Sequence, residues 1–338
     1  MRQAIIQRPG QLDIIDVATP EPGPAELRVR SVAVGICGSD LHAFNGHHPF
    51  IDLPVVPGHE VAGIVDAVGS GVTAFHVGDR VLLEPNLVCG RCFYCGSGRY
   101  NLCEELRVVG CQTVGGLAEA FTAPASRFHP LPNRMTWTEA ALVEPLSTAT
   151  HAARVAGDLS GATVAVLGGG SIGLLTLLSV RASGAAIVVV TDPVESKRGR
   201  ALELGAAAAF DPTDSESVQA IRKSLPHRPD VVFDCVGSQT SVVQAIALAE
   251  KGGTVVLIGV PRGPVEIPLP VIQDREIRIQ GSAMYVAEDV LRAMDLILDH
   301  TVDAGRVVTV TFPLERAAEA FAAASSGDHL KVQIRVET

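Results

Sequence analysis

From Met1 to about Asn133 apolar and polar positions alternate over short stretches that glycine and proline keep interrupting, whereas after Gly161 the apolar positions bunch into unbroken runs. In the first part, the partly alternating stretch 27–34 and the mostly apolar run 61–68 read as strands. Turn signals at 21–24, 54–58 and 69–71 then predict short strands folded back on themselves as a barrel or sandwich. A helical pattern begins near Thr138, takes in Ala140, Ala141, Leu142 and Val143, and continues past Pro145 over 148–156. The later runs, 163–167, 186–191, 207–210, 231–234, 254–258 and 276–280, are separated by helical stretches. Strands apolar on both sides are buried on both faces, as in a parallel sheet covered by helices. Six of them in roughly 120 residues predict an α/β fold with a doubly wound, six-stranded parallel sheet. After about Ala283 the pattern returns to helix and ends on an alternating strand, 331–336, suited to closing the first region's sheet.

Length and charge narrow the picture. At 338 residues the chain exceeds what one growing core accommodates, so two domains are expected, and 47% hydrophobic against 19% charged residues lets both be well buried. No apolar run reaches membrane-spanning length and the first residues lack the hydrophobic stretch of a signal peptide, so the expectation is a soluble, cytoplasmic protein. A formal net charge of −10 with no offsetting basic cluster argues against nucleic acid or an anionic membrane as partner.

Three groups of residues carry chemistry. The run 163–167 leads into Gly-Gly-Gly-Ser-Ile-Gly at 168–173 and then an apolar helix. This is the G-x-G-x-x-G spacing: Gly168 for a tight turn, Gly170 for close approach of a pyrophosphate, Gly173 for helix–strand packing, with Ser171 and Ile172 opening the helix that faces the phosphates. Asp192, nineteen residues beyond Gly173, stands where a carboxylate accepts ribose hydroxyls and repels a 2′-phosphate, which favours NAD; Lys197 and Arg198 nearby keep NADP open.

Four of the seven cysteines, Cys89, Cys92, Cys95 and Cys103, fall within fifteen residues. In a reducing compartment such crowding points to metal rather than disulfides. Four thiolates leave no position for a substrate, so a zinc there would be structural; an iron–sulfur cluster is the chemical alternative. A looser set comprises Cys37, His59, Glu60 and Glu144, whose sulfur, nitrogen and oxygen donors suit a zinc that keeps an exchangeable position. Taken singly, each also fits a bland role as core thiol, loop imidazole, strand-start charge or helix charge.

Together, the segments 37–42, 58–60, 78–81, 115–116, 144–147, 168–173 and 233–237 and the four-cysteine lobe resemble the zinc-dependent medium-chain dehydrogenase/reductases, over nearly the whole chain and in the family's order. Glu144-Pro-Leu-Ser147 ahead of His151 is most similar to the sorbitol (polyol) dehydrogenase branch, with threonine dehydrogenases close by. The resemblance implies a GroES-like catalytic domain at 1–147 and 283–338 carrying the structural zinc lobe, and a Rossmann NAD-binding domain at 148–282. It implies two zincs per chain: a structural one on the four cysteines and a catalytic one held by Cys37, His59 and an acidic ligand, Glu60 or Glu144. Asp40 would orient His59.

The reaction so implied is hydride transfer between a secondary alcohol (polyol, sugar or amino alcohol) and NAD, with the hydroxyl proton accepted by Ser39 and passed through the cofactor ribose towards His42. The alternative is a zinc-stabilised dinucleotide-binding sensor without turnover; Cys37, Ser39, His59 and Glu60 favour the enzyme, because a non-catalytic protein has no chemical need for them. The stretch 109–116, with Cys111, lies where relatives contact substrate. The resemblance also implies a homodimer or homotetramer, joined through the sheet edge at 254–258 and 276–280.

Overall fold

Strand Thr163–Leu167, all five residues buried, lies inside a parallel sheet of six strands in the order Ala208–Phe210, Ile187–Thr191, Thr163–Leu167, Val231–Asp234, Thr254–Leu257, Arg278–Gly281. The computed structural model describes residues 1–261 and 263–336. Chain order reverses on either side of Thr163–Leu167, which pairs in register with Ile187–Thr191 on one side and Val231–Asp234 on the other. Such a switch point opens a crevice at the carboxyl ends of the strands, and the glycine turn leaves the strand there. All six predicted strands are present. The last starts later than the apolar pattern suggested, at Arg278, because Glu276 adopts a left-handed φ of 50° in the turn after helix Leu269–Asp274.

The second sheet is antiparallel in most of its pairings and has seven strands, with Val308–Pro313, Lys331–Arg335, Glu26–Gly35, Glu60–Val68, Arg80–Leu83 and Phe128–Pro130 in that order and Ala120–Pro124 also pairing with Glu26–Gly35. The ten-residue strand Glu26–Gly35 alternates half-buried and buried positions before becoming fully buried at its end. Leu27, Val29, Val34, Leu83, Phe121 and Ile334 pack in one core there, with Phe321 from helix Ala317–Ser326. The closing strand runs antiparallel to Glu26–Gly35, pairing Gln333 with Gly35, and so brings the chain's last strand beside the Cys37 turn.

Two units result: Met1–Pro145 with the chain from Val286 onward, and Leu146–Tyr285. Helix Trp137–Ala156 runs unbroken through Pro145, although proline removes one intrahelical hydrogen bond. Ala140, Ala141, Leu142, Val143 and Leu146 are all fully buried around it, and that burial outweighs the lost bond.

Candidate active site and metal centres

Cys37 follows the buried end of strand Glu26–Gly35 and caps helix Gly38–Phe44, while His59 immediately precedes strand Glu60–Val68 and Glu60 opens it. One ligand atom from each of the three lies within 4.8 Å of the others. Asp40, in the first helical turn, ties two of these segments together. Its Oδ2 accepts the Cys37 backbone N–H at 2.9 Å, and its Oδ1 faces His59 Nδ1 at 3.6 Å. With Nδ1 turned to the carboxylate, Nε2 is left for a metal.

Glu60 is fully buried and sits opposite Gly35 across the strand pair. A side chain at position 35 would put its Cβ 1.8 Å from Glu60 Oε2, so glycine there leaves the room the carboxylate occupies. Oε1 accepts a short hydrogen bond from the equally buried Lys331 ammonium, which also donates to the Ile36 carbonyl at 2.9 Å. Oε2 has no hydrogen-bond partner, and neither do His59 Nδ1 and Asp40 Oδ1. Buried polar atoms in such a state are costly unless something else satisfies them.

The electrostatics call for a cation. Burial opposes a charged imidazole at His59, yet the Asp40 carboxylate and the Cys37 sulfur outweigh it and hold the pKa well above the ordinary value. Burial likewise opposes the Lys331 ammonium but is overcome by Glu60, Cys37 and Glu144. Asp40 is pushed upward, chiefly by burial. A divalent cation answers this concentration of anionic donors better than a proton does, and the residues present fit a zinc. Glu144 lies buried in helix Trp137–Ala156, outside the group of three; its charge reaches Lys331.

The four cysteines form a second group with all sulfurs within 4.8 Å. They are free thiols, and the Cys89 and Cys95 sulfurs are 4.0 Å apart. Backbone N–H groups point inward: Cys89 N to Cys103 Sγ at 3.2 Å, Cys92 N to Cys89 Sγ at 3.4 Å and Glu105 N to Cys103 Sγ at 3.4 Å. Backbone donors at Cys95 and Glu104 draw the Cys92 thiol down to about 6, while burial among the other sulfurs pushes Cys95 up to about 12. One thiolate therefore suppresses the next, and only a central cation lets all four ionise together.

At the nucleotide turn, Gly173 packs so tightly that a Cβ there would meet the Gly168 carbonyl oxygen at 1.7 Å, whereas nothing lies within 4 Å of the corresponding point at Gly170. Helix Ser171–Ala182 starts from Gly170, its Ser171 and Ile172 forming the first turn. Asp192 is buried; its Oδ2 accepts Gly169 N–H at 2.9 Å and its Oδ1 accepts Val194 N–H at 2.8 Å. Arg198 is committed to the carbonyls of Asp192 and Pro193 and to Asp211.

Residues 23–133 match the alcohol dehydrogenase GroES-like domain family and residues 171–299 the zinc-binding dehydrogenase family. The sorbitol dehydrogenase of Ovis aries is 37% identical, the match covering 98% of this chain and 96% of that protein. The chain belongs to the zinc-containing medium-chain alcohol dehydrogenases. Among solved structures of this family, 2R,3R-butanediol dehydrogenase from Bacillus subtilis superposes with a TM-score of 0.91 at 28% identity, covering 99% of each chain. A protein from Sinorhizobium meliloti 1021 bound to NADP gives 0.92 at 36% identity, covering 99% of this chain and 98% of that one. Like its relatives, this zinc-dependent dehydrogenase is an enzyme, and it carries a four-cysteine group and a Cys/His/Glu group that could each hold a metal ion.

Lys331 is the residue that sequence reasoning missed. It opens a strand whose other face, Val332 and Ile334, carries the apolar alternation, so it reads as an outward charge; here both faces are covered and the ammonium is buried against Glu60. Four ring-bearing side chains of the dehydrogenase differ in burial. Phe44 packs edge-on against Phe321 at 5.5 Å as core, Tyr285 is fully buried, His47 is exposed and His48 is half-buried. Among the described residues no helix is long and apolar enough to cross a membrane.

Proposed function

We propose that the enzyme transfers a hydride between a secondary alcohol group of a polyol, sugar or amino alcohol and NAD, at a catalytic zinc held by Cys37, His59 and Glu60. The observation that carries this reading is the convergence of three donors, two of them buried and with unsatisfied polar atoms, beside a carboxylate that steers the histidine. Bound there, zinc supplies a Lewis acid that lowers the pKa of the alcohol hydroxyl. Ser39, in the first turn of helix Gly38–Phe44, would accept the proton and, with the cofactor bound, pass it through the ribose towards His42, three residues on and exposed. Asp40 fixes the His59 tautomer. Lys331 holds Glu60 by one oxygen and leaves the other for metal, and Glu144 is the carboxylate that exchanges with it.

Cys89, Cys92, Cys95 and Cys103 hold the second, structural zinc. The preference for NAD rests on Asp192, which would meet a 2′-phosphate with negative charge, and on Arg198, whose guanidinium is already engaged. The glycine turn, with Gly168, Gly170, Ser171, Ile172 and Gly173, receives the pyrophosphate. The experiment is a coupled assay of NADH and NADPH formation with sorbitol, xylitol, 2,3-butanediol, threonine and 2-butanol. NADH formation with a hydroxylated substrate is expected; activity with NADP alone overturns the cofactor assignment, and no turnover on any alcohol overturns the reading.

A further inference from the structure

The loop that follows helix Gly38–Phe44 holds one polar group that nothing so far employs. His47 and Phe50 are exposed, yet His48 between them is half-buried. The Phe50 backbone N–H donates to His48 Nδ1 at 3.1 Å, and the two rings meet edge to face at 6.1 Å. A nitrogen that accepts a hydrogen bond carries no proton, so the neutral ring bears its hydrogen on Nε2. Burial, with His42 and His59 nearby, keeps the imidazole in that neutral form by lowering its pKa. Among the described residues Nε2–H has no protein acceptor, which leaves a fixed donor in the neighbourhood of the zinc histidine and the relay histidine.

The loop is also clamped. Gln112 donates from Nε2 to the Phe50 carbonyl at 2.7 Å and accepts the Val108 N–H on Oε1 at 2.8 Å. Its neighbour Cys111 is buried, with its thiol close to the His59 side chain. The segment from Gly115 to Leu117 hydrogen-bonds back onto Val56, Pro57 and Gly58, immediately before His59. One side chain thus couples the loop bearing His48 to the turn that touches the metal-site imidazole.

We propose that His48 Nε2–H is a specificity-determining donor to an oxygen that the substrate carries beyond the carbinol being oxidised, and that Gln112 is the positioning residue that holds it there. The proposal rests on the dehydrogenase reading above and adds the reason a polyhydroxylated substrate is chosen over a simple alcohol. An analogue lacking the oxygen forgoes this hydrogen bond and binds more weakly by the net worth of one neutral bond.

The test uses the zinc-loaded enzyme with 2,3-butanediol and 2-butanol, which differ by one hydroxyl, and with sorbitol. For His48→Leu, KM for 2,3-butanediol and sorbitol should rise about three- to tenfold, the loss of one neutral hydrogen bond, with kcat changed less than about twofold and 2-butanol unaffected. His48→Gln, which restores an amide donor, should recover much of the loss. Gln112→Met should give the same substrate-dependent pattern, smaller in size, at an unchanged melting temperature. Equal effects on the diol and the mono-alcohol, or an unchanged KM in an active His48→Leu enzyme, would overturn this inference alone. A parent enzyme that oxidises neither these three nor any other alcohol of the wider panel would overturn the proposed function and the inference with it.

Discussion

The two groups of donors that could hold a metal each converge within 4.8 Å, by opposite means. The four-cysteine lobe is local: fifteen consecutive residues, two short helical turns and backbone N–H groups aimed at the sulfurs. Three of its cysteines are half-exposed. The Cys37 group is assembled from distant segments, is buried on the His59 and Glu60 side, and draws on Asp40 and on a lysine 271 residues from the carboxylate it holds. A site whose donors supply their own enclosure serves stability, whereas one whose donors need outside partners keeps an adjustable ligand set, which is what catalysis requires.

The largest expected effect separates the two in activity. Cys37→Ser should lower kcat/KM by about a thousandfold or more, because a zinc contributes several kcal/mol to the transition state, with little change in melting temperature. Cys92→Ser should do the reverse, lowering the melting temperature sharply in a thermal scan while the residual folded enzyme keeps its KM. If the two variants behave alike, the division fails.

Next in size is the buried ion pair. Lys331→Met strands the Glu60 carboxylate in the core and should cost about 3–5 kcal/mol in denaturant unfolding. Adding Glu60→Gln should recover a large part of that loss, since no unpaired charge then remains. Additive losses in the double variant would show that the pair does not couple. In the other unit, Gly173→Ala places a methyl group against the Gly168 carbonyl and should weaken NADH binding about tenfold in a fluorescence titration while both metals stay bound. The smallest effect is expected for Asp192→Ala, a relaxation of the NAD preference by roughly tenfold or less, read from kcat/KM with the two cofactors.

What was legible in the sequence follows the same divide. The six parallel strands, the glycine turn and the four-cysteine lobe are each written in a contiguous stretch, because burial on both faces, a tight turn and a metal loop impose local patterns. Cys37, His59 and Glu60 are individually ordinary and gained meaning only from the resemblance of the whole chain to a family. Lys331 carried no signal: a lysine opening an alternating strand looks solvated, and only the pairing of that strand with Glu26–Gly35 brings it to Glu60. His47 and His48 look equivalent as a pair, and what separates them is the partial burial of His48, its ring contact with Phe50 and the hydrogen bond from the Phe50 backbone. The helix through Pro145 shows the same limit, since the burial that sustains it is tertiary.

The most direct test of two metal groups with separate work is metal analysis of the parent enzyme and of Cys37→Ser by plasma mass spectrometry, with activity and melting temperature taken on the same samples. The account predicts two zincs per chain in the parent, one for each group of donors, and one in the variant, which stays folded, binds NADH and is inactive. A single zinc in the parent, iron in place of zinc, or a Cys37→Ser enzyme that keeps its turnover would contradict it.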